Sequence, residues 1–83
     1  MAVYIDANVL IAFLVASHPG HEQVVNFLAG LMDSGDDIVV SPQVISESFR
    51  VMTHGRFFKE RIDAAAFKEM ISEFLSAPEV QLL

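Results

Sequence analysis

The chain has no cysteine, which excludes a disulfide framework and a thiolate metal site, two usual ways of stabilising a small scaffold. The same absence suits a reducing cytosol. Basic residues are scarce: five Lys and Arg face eleven Asp and Glu, for a formal net charge of −6. That balance argues against a surface that holds nucleic acid by charge alone. No apolar run approaches the roughly 18 residues of a membrane span, and the opening Met1-Ala2-Val3-Tyr4-Ile5-Asp6 lacks the basic segment of a signal peptide. A cytoplasmic protein without membrane contact is expected. Nothing repeats and nothing is low-complexity. There is no glycine loop to cradle a phosphate and no dinucleotide fingerprint, and Ser41 and Ser46 have no His and Asp placed to form a nucleophile triad.

What is present demands burial. Hydrophobic residues make up 53% of the chain, seven residues are Phe and only 19% are charged, which excludes intrinsic disorder. The 83 residues suffice for one small domain. Such a chain buries only roughly 60 to 65% of its unfolded-state surface, so the core is thin.

Residues 2 to 6 are short, apolar and end in an acid, as a buried parallel strand reads. Ala7 to Ala16 is apolar on nearly every side, which suits an internal helix with Asn8 as its N-cap. Ser17, Pro19 and Gly20 break that pattern. Val24, Val25, Phe27, Leu28, Leu31 and Met32 then mark a one-faced helix that ends at Ser34-Gly35. Ile38 to Val40 reads as a second buried strand, followed by Ser41 as N-cap and Pro42 at the first helical position. The helix that follows buries Ile45, Phe49 and Met52 and stops near His54-Gly55; Asp63 caps a fourth helix carrying Phe67, Met70, Ile71, Phe74 and Leu75. Val80 to Leu83 reads as a third strand.

This order is the grammar of an α/β fold with a parallel sheet and right-handed crossovers. A strand ending in Leu82-Leu83 is expected to lie in a sheet covered on both faces. With three strands and four helices, the sheet reads as incomplete, to be finished by a partner chain or by further residues.

In open parallel sheets the functional crevice lies beyond the carboxyl ends of the strands. Asp6 stands at that end of the first strand, and Glu47 follows the second by about one and a half helical turns. Glu47 falls near Val44 and Val51 around its helix, on the flank of the buried stripe. Two carboxylates at roughly 6 to 8 Å repel by about 2 to 3 kcal/mol at an effective dielectric near 20. A divalent cation relieves this, and Mg²⁺ or Mn²⁺ is commonly held by a few carboxylates together with waters and substrate phosphate. Taken singly, neither acid is specific: Asp6 is also readable as a helix N-cap or a turn acid, and Glu47 as a solvated helix residue.

The context of the two acids is more specific. Val3-Tyr4-Ile5-Asp6-Ala7-Asn8-Val9-Leu10-Ile11 resembles the opening of PIN-domain ribonucleases, and Val39-Val40-Ser41-Pro42-Gln43-Val44-Ile45-Ser46-Glu47 resembles the second motif of their VapC-like toxin branch. The stretch His18-Pro19-Gly20-His21-Glu22 is similar to that branch as well. The resemblance implies a PIN-like three-layer α/β fold and a metal-dependent endoribonuclease toxin of a bacterial toxin–antitoxin pair. It implies an RNA substrate, Mg²⁺ or Mn²⁺ as cofactor, a cognate antitoxin and a homodimer. Asp6 and Glu47 match the first two catalytic, metal-binding acids, and Asn8 matches the polar residue that supports the site. The family pattern continues with one or two further aspartates after the third strand. Residues 1–83 are therefore expected to span about the first two thirds of that domain. A catalytically incomplete fragment that serves dimerisation or antitoxin binding is the alternative.

Four of the five basic residues (Arg50, Arg56, Lys59 and Arg61) fall in the stretch Arg50 to Arg61 with His54, Phe57 and Phe58, opposed only by Glu60. They are candidates to meet RNA phosphates, with a Phe to stack on a base, or acids on an antitoxin. The bland alternative is a helix end followed by core aromatics. His18 and His21 flank Pro19-Gly20 and read as loop and helix-start residues. A signalling domain phosphorylated on Asp6 would want further acids just before that strand, and Met1 to Ile5 has none.

Overall fold

The structure is a computed structural model that describes residues 1–54 and 62–83. Among the described residues the elements run β1 (Ala2–Tyr4), α1 (Ala7–Leu14), α2 (His21–Asp33), β2 (Asp37–Val40), α3 (Pro42–His54), α4 (Ala64–Leu75) and β3 (Val80–Leu82). The strands form one sheet in the order β1-β2-β3, with both pairs parallel. This is the α/β class, with three parallel strands and four helices, expected from the sequence.

Register explains where the core lies. Val3, Ile38 and Val80 sit side by side across the sheet, and the next row is Tyr4, Val39 and Gln81. Successive side chains alternate between faces, so the two rows point opposite ways. Ile38 and Val80, with Ile5 and Val40, join Leu10 and Ile11 of α1, Leu28 of α2, Met52 of α3 and Phe67, Ile71 and Phe74 of α4 in one cluster. The helices of both crossovers therefore share one face of the sheet. Adding β2 and then β3 in the same direction with crossovers of one hand has this result. Two aromatic pairs tie the layer together: Phe13 on Phe74 at 5.2 Å between ring centroids and Phe49 on Phe67 at 5.3 Å.

The first strand is shorter and more exposed than its composition suggests. It ends at Tyr4, whose side chain is 68% exposed. Hydropathy alone does not report neighbours: among the described residues β1 has β2 on one side only. Val39 of the central strand, flanked by Tyr4 and Gln81, is 7% exposed. The third strand differs likewise. Val80 is buried, whereas Leu82 and Leu83 are exposed and not covered on both faces as expected.

Local chemistry sets the helix ends. Asp63 accepts the Ala66 N–H at 2.8 Å and Ser41 Oγ accepts the Val44 N–H at 3.2 Å, as N-caps do. Helix α1 starts from Asp6, whose carboxylate accepts the Val9 N–H at 3.0 Å. Asn8 lies inside the first turn, so the expectation that it caps the helix is corrected: the capping role belongs two residues earlier, where the backbone is still extended. Helix α2 ends in a Schellman motif. The Gly35 N–H bonds the Met32 carbonyl, the Asp36 N–H bonds the Leu31 carbonyl, and Gly35 takes a φ of +77°.

Candidate functional site

Tyr4 and Val39 are register partners, so Asp6 and Ser41, each two residues further on, stand at the same level of the carboxyl edge. Helices α1 and α3 both start there, one from each of two neighbouring strands, and they pack against each other. The first acid is the N-cap of α1 and the second stands in the second turn of α3.

Asp6 is exposed, with φ −96° and ψ 179°. Its Oδ1 is committed to the Val9 N–H, and its main-chain carbonyl accepts the first helical bond, from the Leu10 N–H at 3.1 Å. Oδ2 has no protein hydrogen-bond partner among the described residues, and the residue is exposed at this end of the sheet. Glu47 is exposed too. The Phe49–Phe67 stack fixes the side of α3 that meets α4. At about 100° per residue, Glu47 lies roughly 160° around the helix from Phe49, beside Val44 and Val51. It therefore projects from the flank away from α4. Among the described residues neither carboxylate is in an ion pair; the one such contact joins the Met1 ammonium to Asp36 at 3.3 Å.

Oxygen donors of this kind suit a hard cation such as Mg²⁺ or Mn²⁺, which keeps several waters and takes one or two protein carboxylates. Thiolate or imidazole metals have no counterpart in the pair. Among the described residues no three His, Asp or Glu gather as a metal cage. The donor set thus fits a cation completed by water and substrate oxygens rather than an all-protein site.

Asn8, in the first turn of α1, is exposed and makes no side-chain hydrogen bond among the described residues, so its amide is available at the same edge. Arg50 is exposed on α3, three residues after Glu47 and on the same side of the helix. Arg56, Lys59 and Arg61 lie outside the described residues. The two loop histidines have local work. His18 Nδ1 accepts the Gly20 N–H at 2.9 Å, and His21 Nδ1 donates to the Ala12 carbonyl at 2.9 Å, tying the start of α2 to α1.

One residue escaped the sequence reading. Ser48 is fully buried in α3, and its hydroxyl donates to the Val44 carbonyl at 2.8 Å. The signal was a serine at i+4 from Val44 and i−4 from Met52, inside the apolar stripe. Away from the carboxyl edge, an apolar recess of about 340 Å³ opens where α1, α2 and α4 end, lined by Phe13, Leu14, Met32, Met70, Phe74 and Ala77 with Glu73 as its one charged group. It holds no chemistry of its own. No helix among the described residues is long and apolar enough to cross a membrane.

A family model described as PIN domain matches residues 3–81. No curated protein matches the chain.

Proposed function

The chain belongs to the PIN domain family, whose members are generally metal-dependent nucleases, and we propose that it is an endoribonuclease toxin of the VapC type, acting on RNA phosphodiester bonds. The observation that carries this reading is the placing of two exposed carboxylates, Asp6 and Glu47, on adjacent strand–helix units at one edge of the sheet.

Asp6 would hold Mg²⁺ or Mn²⁺ through Oδ2 while Oδ1 keeps the start of α1 in place, and Glu47 would supply the second carboxylate. When bound, such a cation offers a positive point for a phosphodiester and eases ionisation of a water that attacks phosphorus. That contribution answers the net charge of −6. The chain's own residues do the rest. Asn8 extends a neutral amide at the same edge, able to orient a water or a ribose hydroxyl. Arg50, with Arg56, Lys59 and Arg61, draws the RNA backbone towards a protein that is otherwise acidic. A cognate antitoxin and a second copy of the chain are the partners of this reading, and the cytoplasm is its compartment.

Incubation of the purified chain with single-stranded RNA and Mn²⁺ tests it. Cleavage that requires the metal and disappears in Asp6→Asn supports the assignment; cleavage that survives in this variant removes these carboxylates from the reaction. A second reading, a dimerisation or antitoxin-binding module without turnover, is favoured by the absence of a third acid beside the pair among the described residues. Retention of an antitoxin peptide with no metal-dependent cleavage supports that reading, and turnover by the isolated chain refutes it.

A further inference from the structure

Ser48 is the one buried polar residue among the described residues, with 0% of its surface exposed. Its hydroxyl bonds within its own helix, to the Val44 carbonyl. Alanine would occupy nearly the same space with better helix propensity and no hydroxyl to satisfy. What the hydroxyl adds is a second donor on a main-chain carbonyl of the helix, and such back-bonding often bends a helix; Thr53 Oγ1 makes the same kind of bond to the Phe49 carbonyl one turn from the other end of α3, but from a half-buried position. The amide side of Val44 is held as well, because its N–H donates to Ser41 Oγ. Two serines thus grip the peptide groups on either side of Val44, one from the cap and one from the next turn. Glu47 stands in the turn between Val44 and Ser48.

The geometry points to Ser48 as a positioning residue: its bond to the Val44 carbonyl sets the direction in which the first turns of α3, and the Glu47 carboxylate with them, leave the end of β2. The cation-holding task of Glu47 rests on the proposed function, whereas the hydrogen bond of Ser48 to the Val44 carbonyl does not. Ser48 itself touches neither substrate nor metal.

The test compares the wild-type chain with Ser48→Ala and Ser48→Cys, the latter keeping a weak donor of similar size. Backbone residual dipolar couplings, recorded without metal, report the orientation of residues 42–47 relative to 49–54. Mn²⁺ binding is titrated by electron paramagnetic resonance. In Ser48→Ala the first turns reorient, the melting temperature stays near that of the wild type, and Mn²⁺ affinity falls severalfold, towards the roughly tenfold loss that follows removal of groups supporting a metal ligand. Ser48→Cys recovers part of that loss. Unchanged couplings in Ser48→Ala overturn the proposal, as does a fall in affinity that merely tracks a fall in melting temperature. A wild-type chain that binds no Mn²⁺ defeats the nuclease reading instead, and the couplings then decide the role of Ser48 alone.

Discussion

Asp6 carries two tasks on one carboxylate, and substitution separates them. Oδ1 caps α1 through the Val9 N–H, and Oδ2 is the oxygen left for a cation. Asparagine caps about as well as aspartate, whereas alanine does not cap, at a cost of about 1 kcal/mol. For a domain of this size 1 kcal/mol moves the melting temperature by roughly 4 to 8 °C. Asp6→Ala should therefore melt several degrees lower, while Asp6→Asn stays within about 2 °C of the wild type. Moderate salt is used, because it screens the attraction between an acid and the positive end of the helix. Both variants should lose Mn²⁺ binding by at least about tenfold, the smallest loss usual when groups that merely support a metal ligand are removed. Asp63 supplies the control, since it caps α4 in the same way through the Ala66 N–H. Asp63→Ala should reproduce the loss in melting temperature and leave Mn²⁺ binding unchanged. Scanning calorimetry and a Mn²⁺ titration on the three variants and the wild type complete the comparison. If Asp6→Asn melts as low as Asp6→Ala, or if it binds Mn²⁺ like the wild type, the division of labour between the two oxygens is wrong.

Four further substitutions have outcomes set by the fold. Gly30 sits exposed inside α2, with open space around an added Cβ, so Gly30→Ala should stabilise by about 0.5 to 1 kcal/mol. Gly35 also has open space but a φ of +77°, so Gly35→Ala should destabilise by about 1 to 2 kcal/mol through the backbone alone; urea melts of the pair show opposite signs. Leu28 is the buried anchor of α2, and Leu28→Ala should cost about 2 to 5 kcal/mol. That is a large share of the roughly 4 to 12 kcal/mol available to a domain of this length, and circular dichroism should find a substantial unfolded fraction in mild denaturant. If Arg50 meets a phosphate, Arg50→Ala should reduce the slope of log affinity for single-stranded RNA against log salt by about 0.7, measured with an uncleaved RNA in the Asp6→Asn background.

The order of elements was legible because each boundary is a local signal. Ser41-Pro42, Asp63 and Ser34-Gly35 act through their own backbone neighbourhoods, and the structure places a cap at each. The start of α1 was misread for a physical reason. Asp6 and Asn8 are both good caps, and choosing between them requires the point at which the extended chain turns helical, which depends on the Ile5 N–H being held by the Val39 carbonyl at 3.1 Å. Exposure of Tyr4 and Leu82 was beyond reach because it depends on which strand lies alongside and on which face the helices pack. Of the candidate site, Asp6 and Glu47 were legible as acids in strand-end motifs. Ser48 was not, since its significance lies in a bond whose acceptor is main-chain.

The central claim is that Asp6 and Glu47 act on one cation, and a double-mutant cycle on Mn²⁺ affinity addresses it directly. Mn²⁺ is titrated into the wild type, Asp6→Asn, Glu47→Gln and the double variant, each checked for native melting. Ligands to one ion are coupled, so the double variant should bind little worse than the poorer single variant. Losses that add in full, or a Glu47→Gln variant that binds like the wild type, would contradict a shared site.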